Sequence, residues 1–325
     1  MSQQRMTPDQ IKTVLMGGLI PAVPVMFDRG RNFHQSAHEA YVAYMRRQAI
    51  AGVAVWAHTG RGLLLNANTA RRVIHDWRQG LPAKTLIAGV GSSSKESSRA
   101  TNETLAMASA AAEYGADALL VYPPSWLRQN ESVDKLIVDH HERLSNLGLP
   151  LVLFYLYEAA GGVRYSASVL DDLLSLPNVI GIKMATLDSV ITFQDVARHL
   201  QTRHPDKLLI TGEDRFLGYS LRRGARAALI GLGSVCSELQ TELLTAHFAG
   251  DGARFLELSD AIDKLAEVLF VDPMEGYIGR ILRALALLDI IPAEAAYDPW
   301  GPDLSETEIQ NIGAVLSMVT AGCVS

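Results

Sequence analysis

Short unbroken apolar runs alternate with longer stretches whose apolar positions recur every three or four residues, and this holds along most of the chain. The first pattern predicts strands buried on both faces, as in a parallel sheet; the second predicts amphipathic helices. Strands are expected at 19–27, 52–57, 85–90, 116–122, 149–155, 178–186, 208–211 and 226–230. Helices are expected between and after them at 36–48, 69–78, 96–114, 133–147, 167–176, 190–203, 216–223 and 238–248. A short leading helix starts at Thr7, an N-cap residue followed by Pro8, and ends near Gly17 and Gly18. From about Gly250 the pattern is helical only, at 253–269, 274–288 and 305–319. Ser305 and Glu308 form a capping box for the last helix, and Pro292, Pro299 and Pro302 interrupt the helical pattern before it.

Eight strand–helix units in about 230 residues predict an α/β chain folded as a (β/α)8 TIM barrel, which typically takes about 250. The expected division is a barrel with its short N-terminal helix over 1–249 and a C-terminal helical extension over 250–325. An open doubly wound sheet is the alternative, but no Gly-rich dinucleotide fingerprint follows the first strand.

One strand carries a charge. Asn178-Val179-Ile180-Gly181-Ile182-Lys183-Met184-Ala185-Thr186 is an apolar run with a lysine near its C-terminal end, and Lys183 alone among the seven lysines is so placed. Burial lowers a lysine's pKa from about 10.4, and a neutral amine attacks carbonyls. A lysine that snorkels to solvent or meets a carboxylate is the structural alternative.

In a TIM barrel the chemistry lies at the C-terminal ends of the strands. The other strand ends therefore share a face with Lys183: His58-Thr59-Gly60, Tyr155 with Tyr157 and Glu158, Glu213-Asp214, and Gly231-Leu232-Gly233. A phenol such as Tyr155 can carry protons for an imine. Amides and a hydroxyl at Thr59 and Gly60 can hold a carboxylate. Tyr157, Glu213 and Gly231 complete the expected substrate-binding set.

Composition narrows the class. A net charge of −6 speaks against a nucleic-acid partner. Cys236 and Cys323 make neither a disulfide framework nor a metal cluster, so a reduced, cytoplasmic setting is expected. The first seven residues lack the apolar core of a signal peptide. The longest apolar stretch, 14–27, is broken by Gly17, Gly18, Pro21 and Pro24, so no membrane span is expected. His34 and His38 straddle a loop and a helix start, which disfavours a metal pair, and His140 and His141 are read as a solvated helix face beside Asp139 and Glu142. No metal and no cofactor are expected.

Gly181-Ile182-Lys183-Met184-Ala185-Thr186 resembles the Schiff-base lysine motif of the dihydrodipicolinate synthase/N-acetylneuraminate lyase family, and the resemblance extends over nearly the whole chain. Gly18 to Val23 resembles that family's first strand, Ala57-His58-Thr59-Gly60-Arg61 falls where it has Gly-Thr/Ser-Thr-Gly-Glu, and Gly224 to Gly233 is similar to its eighth-strand turn. The resemblance implies a cofactor-independent class I lyase, a homotetramer, in which Lys183 forms an imine with pyruvate or another 2-oxo acid. It implies that Tyr155 shuttles protons while Thr59 and Gly60 hold the carboxylate. His58 and Arg61 depart from the motif, the stretch 122–126 lacks the relay tyrosine of dihydrodipicolinate synthase, and the stretch after Tyr155 lacks its substrate-binding arginine. Dihydrodipicolinate synthase activity itself is therefore not expected. His58 either joins the proton relay or packs. Two rival readings stay open: a barrel enzyme for a phosphorylated substrate, using the loops after strands seven and eight, and a non-catalytic sensor of 2-oxo acids.

Overall fold

A computed structural model of the protein describes residues 6–128 and 132–321; Cys323 and the residues before Met6 lie outside them. Eight parallel strands follow the predicted order: β1 (Leu19–Pro21), β2 (Gly52–Val55), β3 (Thr85–Val90), β4 (Ala118–Val121), β5 (Leu151–Leu156), β6 (Val179–Ala185), β7 (Leu208–Thr211) and β8 (Ala227–Ile230). Each pairs with its neighbours in sequence, β8 pairs with β1, and a parallel bridge between Ala22 and Ala54 joins β1 to β2. The sheet thus closes on itself, and closure removes the edges that would otherwise expose unpaired amides.

Helix α1 (Pro8–Leu15) precedes the barrel. Around it run α2 (Gln35–Arg46), α3 (Ala67–Gly80), α4 (Ser97–Glu113), α5 (Val133–Ser145), α6 (Ala167–Ser175), α7 (Val190–Arg203), α8 (Leu217–Arg222) and α9 (Ser237–Ala249). The extension adds α10 (Gly252–Leu269), α11 (Tyr277–Leu287) and α12 (Glu306–Ala321). Helix α10 packs on α9 and α12, and α11 packs on α12. The Ser305–Glu308 capping box is present, with Glu308 N donating to Ser305 Oγ at 3.2 Å and Ser305 N to Glu308 Oε2 at 2.9 Å. No helix among the described residues is long and apolar enough to cross a membrane.

Alternation along the strands divides the core in two. Ile20, Ala54, Ile87, Leu120, Val152, Phe154, Ile180, Ile210 and Leu229 fill the barrel, and Ile11 and Leu15 of α1 join that inner cluster. Leu19, Val53, Leu119, Leu153, Tyr155, Ile182 and Met184 face the helices in the outer cluster. Lys84 and Lys207, at the N-terminal ends of β3 and β7, donate to the carbonyls of Ile50 and Val179.

The histidine pair of α5 corrects the sequence reading. His140 and His141 are buried, not solvated. His140 packs edge-on against Trp126 at 5.2 Å, and the His141 ring packs on Tyr165 while its Nδ1 lies 2.7 Å from the Ile137 carbonyl oxygen. Burial lowers their pKa values to about 3 and about 4. They share the barrel-facing stripe with Ile137 and Leu144 at helical spacing, so the stripe and not their polarity decided their place. His34 caps α2 through the Ala37 amide, and His38 is buried between Phe33 and Trp77.

Candidate active site

Lys183 lies within β6 and points into the C-terminal mouth of the barrel, 5% exposed. It lines a tight cavity of about 40 Å³ together with His58, Thr59, Phe154, Tyr157 and Asp214, among others. Burial brings its pKa down to about 8, against the opposing pull of Asp214 and Glu213. Roughly a tenth of such a group is unprotonated at pH 7, against well under a thousandth for a free lysine. Gly212, after β7, makes room for this side chain: a Cβ there would fall on Lys183 Cε and 2.8 Å from the Met184 carbonyl oxygen.

Two carboxylates follow β7. Burial raises the Asp214 pKa to about 6, opposed by the amide of Leu232, which donates to Oδ1 at 2.7 Å, and by the charge of Lys183. Burial raises Glu213 to about 7. Glu213 accepts from Thr186 N at 2.7 Å, Thr186 Oγ1 at 2.9 Å and Leu187 N at 3.0 Å, so it shapes the turn after β6 as well as lining the cavity.

The β2 loop enters the mouth as expected. His58 and Thr59 line the Lys183 cavity. Burial holds His58 neutral, with its pKa lowered to about 4. Gly60 is buried, its amide donates to the Ala57 carbonyl within the turn, and it is not among the residues lining the cavity, whereas Thr59 is. Gly231 lines the cavity, where a Cβ would sit 3.0 Å from Thr59 Oγ1 and 3.3 Å from the Tyr277 ring.

Tyr155 requires a correction. In the parallel register Lys183 pairs with Phe154 and Tyr155 pairs with Met184. Successive side chains on a strand face opposite sides, so one residue decides between the barrel interior and the helix layer. Phe154 faces inward, its ring centroid 4.4 Å from Lys183 Nζ. Tyr155 faces outward, packs edge-on against Tyr165 at 5.6 Å and lines a separate cavity with Arg164 and Asp188. Tyr157, two residues on, borders both cavities, and burial pushes its pKa up to about 12.

The sequence reading missed two contributions from the extension. The first is Tyr277, at the start of α11, whose hydroxyl lies 3.0 Å from His58 Nδ1 and 3.1 Å from Thr59 Oγ1. The second is the clamp that seats it. Arg61 donates to Asp298 through Nε and Nη2, the shorter contact 2.6 Å, and through Nη1 to Glu275 at 3.0 Å. The departure of Arg61 from the family motif was the available signal for the clamp. Arg280, fully buried, donates to the carbonyls of Val271 and Pro273 and to Glu308, holding the segment before α11.

The loop after strand eight, offered by the phosphorylated-substrate reading, spends one of its amides internally. The Leu232 amide after β8 serves the Asp214 carboxylate, which leaves that turn poorly suited to a phosphate.

Comparison with known proteins agrees with this architecture. The pattern of the Dihydrodipicolinate synthetase family matches residues 15–318. N-acetylneuraminate lyase 2 of Escherichia coli O6:H1 is 23% identical over 287 residues, 88% of each chain. A 4-hydroxy-tetrahydrodipicolinate synthase of Phenylobacterium zucineum is 28% identical over 297 residues, 86% of this chain and 92% of its own. Among solved structures, a sialic acid aldolase of Ruminococcus gnavus superposes with a TM-score of 0.81 at 18% identity, covering 95% of this chain and 98% of the other. The chain belongs to the dihydrodipicolinate synthetase family and is a TIM-barrel lyase of that family.

Proposed function

We propose that this protein is a class I lyase that forms an imine between Lys183 and the keto carbon of pyruvate or another 2-oxo acid. The reaction is aldol cleavage or condensation, or dehydration of a 2-oxo (sugar) acid. The observation that carries the reading is the state of Lys183: an amine buried at the barrel mouth with its pKa lowered to about 8, beside a carboxylate. A neutral amine can attack the keto carbon, and loss of water leaves an iminium whose positive charge draws electrons from the bond at C3. The Asp214 carboxylate stands where it can offset that charge. Thr59, beside the bare face of Gly231, is placed to bind the substrate carboxylate.

The tight Lys183 cavity suits the keto-acid end of a substrate. Wider cavities of about 180 Å³ and about 250 Å³ flank it, the first bordered by His58, Ser92 and Ser125 and the second by Tyr155, Glu158 and Arg164. They offer hydroxyls and charges for the remainder of a larger, polar substrate. The stretch 156–162 after Tyr155 carries no arginine where dihydrodipicolinate synthase has its substrate-binding one, so that activity is not assigned. A purely binding protein has no need of an amine held near neutrality, which disfavours a sensor. A homotetramer in the cytoplasm completes the proposal, and sedimentation velocity would test the assembly.

Borohydride reduction with pyruvate, read by intact mass and peptide mapping, tests the chemistry. The expected result is an adduct on Lys183 that is absent in Lys183→Ala. Failure to trap any 2-oxo acid, while Lys183 still reacts with other amine reagents, would overturn it.

A further inference from the structure

Imine chemistry needs a group that gives a proton to the departing oxygen and takes one from carbon. The inner position beside Lys183 on β5 is Phe154, which has no exchangeable proton. Tyr155 faces the helices, and the Tyr122 hydroxyl is spent on the Trp56 carbonyl at 3.1 Å. Two phenols line the mouth, Tyr157 and Tyr277, and it is the Tyr277 hydroxyl that is held in a chain of polar groups, between Thr59 and His58.

We propose that the Tyr277 hydroxyl, supplied by the C-terminal extension, is the proton donor and acceptor for the imine at Lys183, with His58 and Thr59 positioning it. The inference rests on the Schiff-base reading above and names its missing acid–base group. Three features hold the phenol in place. Its ring stacks on Phe270 at 4.9 Å and on His58 at 6.0 Å. Gly231 leaves clearance for it. The Arg61–Glu275–Asp298 clamp docks its segment on the β2 loop. A neutral His58 offers Nδ1 as a hydrogen-bond partner without bringing a positive charge next to Lys183.

The proton count closes. Lys183 Nζ attacks C2, and the carbonyl oxygen takes the phenol proton while the phenolate takes one from nitrogen, giving the carbinolamine and restoring the phenol. The phenol then protonates the carbinolamine hydroxyl, water leaves, and the nitrogen lone pair forms the iminium. The phenolate left beside that cation is strongly basic, because burial disfavours its charge. It removes a proton from C3, giving the enamine and the phenol again.

The test uses pyruvate in D2O and follows loss of its methyl protons by NMR, with borohydride trapping in parallel. Tyr277→Phe should slow exchange by roughly 100-fold or more, in the range of general acid–base catalysis, while the Lys183 adduct still forms at long times. Phe154→Tyr in the Tyr277→Phe background, which puts a phenol at the inner β5 position, should recover at least about a tenth of the lost rate, a rescue that a packing role for Tyr277 would not produce. Exchange at the wild-type rate in folded Tyr277→Phe would overturn the proposal. If that variant does not fold, His58→Phe, which keeps the stacked ring and deletes Nδ1, decides: slowed exchange with trapping retained supports it, and unchanged exchange overturns it. Absence of an adduct in the wild-type protein would instead sink the Schiff-base reading, and this inference with it.

Discussion

The ring of Phe154 sits 4.4 Å from Lys183 Nζ, on the strand that pairs with β6 in register. An aromatic face favours an ammonium over an amine, by about 0.5–1 kcal/mol at exposed sites and more when desolvated. It therefore opposes the burial that lowers the Lys183 pKa. Phe154→Leu should move the midpoint for amine reactivity down by about half a unit or more, since one unit corresponds to about 1.4 kcal/mol. The pH dependence of Lys183 labelling measures it; an upward shift would contradict the account.

Imine formation should rise with pH as Lys183 loses its proton through its pKa of about 8, and then level off. The sign follows from the amine being the nucleophile. Trapping rates with pyruvate between pH 6 and 9.5 give the profile. A rate that keeps rising past pH 9.5 would mean that Lys183 titrates like a free lysine.

Tyr155→Phe should leave pyruvate exchange within about threefold of wild type, because its hydroxyl lies in the helix layer and general acid–base groups contribute about 100-fold or more when removed. A hundredfold loss would mean that β5 presents the opposite face to the barrel.

Arg61→Ala should be costly. It leaves Asp298, a side chain only 2% exposed, without its partner, and breaking a buried pair costs about 3–5 kcal/mol. Urea unfolding measures the loss, and limited proteolysis near 270–300 should accelerate. An unchanged midpoint would show that the clamp contributes nothing to docking the extension.

Gly212→Ala should abolish imine trapping and also lower stability, because one of its two clashes is with backbone. The added methyl displaces Lys183 Cε, the movable end of a side chain, as well as crowding the Met184 carbonyl. A variant that folds and traps pyruvate normally would refute the packing argument.

Much of the scaffold was legible in the chain. Buried parallel strands read as unbroken apolar runs, and the eight of them lie where the runs are, though β1 is shorter than its run. Lys183 was legible because a charge inside such a run is conspicuous. Tyr155 was misplaced because adjacent Phe154 and Tyr155 both suit a strand, and only the register with β6 says which faces inward. The polarity of His140 and His141 points to solvent, but their spacing from Ile137 and Leu144 marks a buried stripe.

The sequence by itself determined the barrel, the order of its strands and the face on which Lys183, His58, Thr59, Glu213 and Asp214 meet. These follow from local periodicity and from the rule that parallel units present their strand ends together. The tertiary structure alone decided that Phe154 lines the mouth in place of Tyr155. It alone brought Tyr277 across 218 positions of chain to the hydroxyl of Thr59 and joined Arg61 to Asp298. Contacts between residues so distant depend on how the extension packs on the barrel, and no local pattern encodes that docking.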